Sequence, residues 1–156
     1  MNSRFADPEG ALSAPFYAFA ILLMATPAID FATSIFPMQL RSPQWRFASA
    51  GLLSGFLLTP MLGIAIAMTV SAIRGHHGVQ RFLAVINLLL ALLFLVLLVG
   101  FVLDVLQLNG VVPAEGLRAF HVAAAKAVFK YATSIVVLVF FASRGWRLAS
   151  WIRRPA

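Results

Sequence analysis

The chain has 156 residues, of which 62% are hydrophobic and 11% charged, with no cysteine and a formal net charge of +7. A soluble domain carries about 25% charged residues, so an ordinary soluble fold is excluded, and the missing cysteines exclude disulfides, thiolate metal sites and thiol catalysis. Four long apolar runs hold most of the chain, which predicts an all-α, polytopic integral membrane protein, an up-down bundle of four transmembrane helices. Continuous runs lack the alternation of a lipid-facing barrel.

Residues 1–14 read as a short polar tail, with no A-x-A cleavage pattern after the apolar stretch that follows. The transmembrane domain covers 15–142, with spans of about 15–36, 45–73, 82–108 and 119–142. In the first span Pro15 suits the first turn, Phe16 and Tyr17 suit a membrane interface, and the interior Pro27 should kink the helix three residues before Asp30. A link follows in which Ser42 caps and Pro43 opens the second span, with Trp45 and Arg46 as an interfacial anchor. That span exceeds the ~20 residues a bilayer requires, so it must tilt, bend at Pro60 or protrude.

The second span carries a small residue at every fourth position: Gly51, Gly55, Thr59, Gly63, Ala67 and Ser71. Small faces let helix backbones approach closely in lipid, so the spacing predicts a packing seam. Residues 74–81 (RGHHGVQR) read as a tight polar turn and residues 82–108 as a Leu-rich third span closed by Asn109-Gly110. Pro113 and Glu115 restart a helix whose span carries Lys126 and Lys130. Residues 143–156 form a basic, interfacial tail anchored by Trp146, Arg147 and Trp151.

Arg4, Arg74, Arg81, Arg144, Arg147, Arg153 and Arg154 would share one side of such a bundle, and Arg41, Arg46 and Arg118 the other. The positive-inside rule then places both termini in the cytoplasm of a bacterium, with the chain in its inner membrane. Counted from the helix ends at about 1.5 Å per residue, Asp30 lies roughly 10 Å deep, Asp104 8 Å, Lys126 10 Å and Lys130 16 Å, all in the outer half of the bilayer. Two acids and two bases at similar depth form a candidate charge cluster, either an ion or solute path or a set of interhelical salt bridges.

No catalytic or metal-binding motif stands out. His76 and His77 lie across the membrane from His121, so the three cannot share a metal or haem, although His121 has the chemistry of a pigment ligand. The chain alone implies no cofactor; pigment or lipid contact would come through a complex. The expected function is a non-catalytic accessory subunit of a larger membrane complex of respiratory or photosynthetic type. Its partners would be the bilayer and other membrane subunits, not nucleic acid. The alternative is a small ion or solute transporter using the Asp/Lys cluster.

Overall fold

A computed structural model describes residues 8–150. They form five helices, α1 (Pro8–Ser34), α2 (Pro43–Phe56), α3 (Leu58–Ile73), α4 (His77–Asn109) and α5 (Ala114–Ser150), and no strand occurs among the described residues. Ser13–Ser34 of α1, all of α4 and Ala114–Arg147 of α5 are long and apolar enough to cross a membrane, and α2 with α3 makes a fourth span if the bent pair is one crossing. Helices of this length and composition suggest a membrane protein.

The expected second span is broken. Pro60 has no N–H for the Phe56 carbonyl and its ring clashes with that group, so the helix stops at Phe56, restarts at Leu58 and turns by 41°. Met61 N–H still reaches the Leu57 carbonyl at 3.3 Å across the break. The start of α2 is as the sequence predicts: Ser42 takes extended backbone, its hydroxyl accepts from Trp45 N–H at 3.3 Å, and Pro43 opens the helix.

Three boundaries are corrected. α1 begins at Pro8, so Pro15 lies inside the helix and part of the expected tail is helical; Pro8 is itself suited to a first helical position, where a missing N–H costs nothing. The turn before α4 shrinks to Arg74–His76 because Gly75 alone makes it, at φ +64°. His77 to Arg81 join α4, where Gln80 is buried. α5 continues through the expected tail to Ser150, because Gly145 is a packing residue. A Cβ there would meet Ala84 Cβ and Met68 Cε at 3.1 Å and the Gln80 carbonyl at 3.3 Å.

α4 and α5 pack along most of their length and run antiparallel, since Asn109 meets His121, Phe101 meets Tyr131, and Ala84 meets Gly145. α1 packs mainly on α3, and among the described residues the backbones of α1 and α4 stay more than 8 Å apart. One core cluster joins Ala20, Ile64, Ala67, Met68, Leu83, Ala91 and Leu138, and a second joins Phe101, Ala124 and Ala127. The apolar run of α4 between Arg81 and Asp104 is 22 residues, about 33 Å at 1.5 Å each, close to the ~30 Å hydrocarbon thickness. Arg81 and Asp104 therefore bracket the apolar stretch of α4, one at each of its rims.

Candidate functional site

The polar centre of the molecule lies at the Asp104 rim. Ser42 fixes the start of α2, which sets Arg46 in the first turn facing α4. Arg46 Nε donates to both carboxylate oxygens of Asp104 at 3.1 Å, Nη2 donates to Oδ1 at 2.5 Å, and Nη1 donates to the Leu40 carbonyl at 2.8 Å. The Asp104 side chain is 8% exposed and that of Arg46 35%. The acid is thus held away from solvent by a forked donor that keeps one edge open, the geometry in which Arg outperforms Lys. Behind the pair, Phe47 stacks between Phe101 (5.1 Å) and Phe120 (4.8 Å). Tyr131, fully buried, donates its hydroxyl to the Ala50 carbonyl at 2.9 Å and ties α5 to α2.

A cleft of about 540 Å³ opens beside this pair, between α1 and α4 with α2 at its back. Arg46, Asp104, Ser49 and Gln107 give it a polar end, while Phe31, Leu53, Val96 and Leu97 line the rest. Gly100 widens it, since a Cβ there would have nothing within 4 Å. A second cavity of about 290 Å³ shares Phe31 and Leu53 with the first and is lined almost wholly by apolar side chains, among them Met24, Leu90 and Phe94.

The expected charge cluster does not assemble. Asp104 is taken by Arg46, which the sequence marks only as an anchor, and not by a lysine. Lys126 and Lys130 are exposed on α5 and Asp30 is exposed on α1, and no ion pair among the described residues joins either lysine to either acid. The physical reason is angular: equal depth does not bring groups together when their helix faces point apart. Depth alone does match Arg46 to Asp104, both at the same rim, so the signal for this pair is present in the sequence.

The small-residue seam divides at the α2–α3 break. A helix advances about 100° per residue, so each step of four overshoots a turn by about 40°, and five steps carry the row about 200° around the axis. Gly63, Ala67 and Ser71 are buried. Gly63 meets α1 so closely that a Cβ would stand 2.7 Å from the Ala20 carbonyl oxygen. Gly55 and Thr59 are exposed and Gly51 is half-buried, and Cβ atoms at Gly51 and Gly55 would meet nothing within 4 Å. Gly55 instead lines an outward groove of about 440 Å³ with Lys130, Thr133 and Phe129 of α5.

Two of the histidines tie elements together. His121 Nε2 hydrogen-bonds Asn109 Oδ1 at 2.7 Å, joining the two ends of the α4–α5 turn. His76 Nδ1 shares a hydrogen bond with the Tyr17 hydroxyl at 3.1 Å, tying α1 to the α3–α4 turn. Trp45 is half-buried at the cleft, Trp146 is 61% exposed and Arg147 is exposed; Trp151 lies outside the described residues. The described residues hold no group of three or more His, Cys, Asp or Glu side chains able to bind a metal. No protein-family model, curated protein or solved structure matches this chain.

Proposed function

We propose that the protein is a non-catalytic accessory subunit of a larger membrane complex, crossing a bacterial inner membrane four times as an up-down bundle with both termini in the cytoplasm. In this reading α2 and α3 are one bent crossing, and the excess of arginine at the Arg81 side sets the orientation. The observation that carries the reading is the outward groove between α2–α3 and α5, where Gly55 is bare and Lys130 stands at the edge. Without a hydrophobic driving force in lipid, a bare glycine face gains energy only when another backbone packs on it. Lys130 immediately precedes Tyr131, which meets Phe101, so it lies about one turn inside the rim marked by Asp104. The partner that fits is a transmembrane helix that presents a small face to Gly55 and a carboxylate to the ammonium group. The transport alternative needs Asp30, Asp104, Lys126 and Lys130 to share one path, and it draws no support from their separate positions.

A photo-crosslinking residue at Thr133, in native membranes at native expression, tests this. A discrete adduct to a different membrane protein is expected, lost in Lys130→Glu and in Gly55→Leu while the chain still inserts. Adducts only to lipid or to a second copy of the chain would overturn the proposal.

A further inference from the structure

The cleft between α1 and α4 has a different character from the docking groove. Its polar end is at the rim of the apolar band and its apolar end points into the band. Along α4 it runs from Gln107 to Val96, about 16 Å at 1.5 Å per residue, and below that the second cavity continues between Leu90 and Phe94. Its volume of about 540 Å³ falls within the ~300–1,000 Å³ of small-molecule sites, which share the same pattern of apolar walls with a few convergent polar groups.

The polar end also specifies a charge. Arg46 and Asp104 neutralise one another, so neither an anion nor a cation gains a free counter-charge there. What remains is hydrogen-bonding capacity of both kinds. The Arg46 side chain is about one-third exposed, and the Ser49 hydroxyl and Gln107 amide line the cleft without a hydrogen bond to any described residue. Other helix hydroxyls, such as Ser54, Thr69 and Ser71, bond back to their own helix carbonyls; Ser49 does not.

We propose that this cleft binds an uncharged amphiphile, with a hydroxyl or carbonyl head at Arg46–Asp104, Ser49 and Gln107, and an apolar tail that runs past Gly100 toward Phe94. The class includes long-chain alcohols and lipid-soluble carbonyl compounds and excludes fatty acids and phospholipids as preferred ligands. Gly100 is the specificity device, because a Cβ there would meet nothing within 4 Å and a larger side chain would grow into the tail channel.

Trp45 lines the cleft and reports on it. In the full chain carrying Trp146→Phe and Trp151→Phe, reconstituted in nanodiscs, Trp45 emission is followed while a dibrominated octadecanol or the matching dibrominated octadecanoate is added at a pH where the acid is ionised. Saturable quenching by the alcohol is expected, with the octadecanoate weaker. Gly100→Phe should weaken the alcohol roughly tenfold or more, the scale of excluding a few methylene groups. Val96→Phe narrows the same channel from a position whose side chain is exposed, and serves if Gly100→Phe does not assemble. Quenching linear in alcohol content, quenching indifferent to both substitutions, or tighter binding of the octadecanoate would each overturn the proposal.

Discussion

The contrast between Gly63 and Gly55 gives the sharpest test of the packing. Both are helical glycines of the same seam. Replacing either with alanine gains the same helix propensity, about 0.8–1.0 kcal/mol in aqueous hosts, so the difference between the two variants isolates the contact. At Gly55 the added methyl meets open space, and Gly55→Ala should be neutral to stabilising. At Gly63 the methyl would stand 2.7 Å from the Ala20 carbonyl oxygen, 3.0 Å from Met24 Cγ and 3.1 Å from Leu23 Cβ. The nearest of these is backbone and cannot swing aside, so α1 must move off α3, at the overpacking cost of about 1–3 kcal/mol. Gly63→Ala should therefore be less stable than Gly55→Ala by about 1–3 kcal/mol. Reversible unfolding in mixed micelles by added dodecyl sulfate, followed by tryptophan emission, measures the difference. Equal stabilities, or a more stable Gly63→Ala, would mean that α1 does not seat on Gly63 and would refute the packing argued here.

Two further outcomes follow from the polar contacts. Arg46→Leu and Asp104→Leu should each reduce the folded fraction, because each strands a charge at the rim, whereas the double substitution to Leu should recover much of the loss; additive losses in the same titration would show that the two side chains are not coupled. Tyr131→Phe removes the hydrogen bond from α5 to the Ala50 carbonyl and should cost about 1 kcal/mol, so an unchanged unfolding midpoint would mean that this bond does not hold α5 to α2.

Periodicity and apolar length made the helical spans legible, and proline made the bend so. The Ser42 cap follows from local chemistry and is present, and of the three ways to fit the long second span the break near Pro60 is the one found, whereas α1 runs unbroken through Pro15 and Pro27. The site was harder to see. Arg46 and Asp104 are 58 residues apart, and a sequence gives the depth of each more readily than the direction it faces. Depth therefore groups Asp104 with the lysines as readily as with Arg46, which lies as near to the same rim. The seam misled for a related reason: a row of small residues spaced by four looks like one face, but over twenty residues it winds halfway round the helix. Gly145 carried no periodic signal because the close approach it permits depends on Ala84, Met68 and Gln80, which lie on two other helices.

That α1 rests on α3 rather than chiefly on α2 bears on how the protein is made. When α1 has left the ribosome and entered the bilayer, the surface it will occupy, around Gly63, is still unsynthesised. α1 has no seat until the chain beyond the α2–α3 break has been made, and only then can the Tyr17–His76 link close. A further joint forms later still, when Gly145 meets Met68 and Ala84. Assembly is thus deferred toward the end of translation, and a chain stalled before residue 145 would present an unsealed bundle to the quality-control proteases of its membrane.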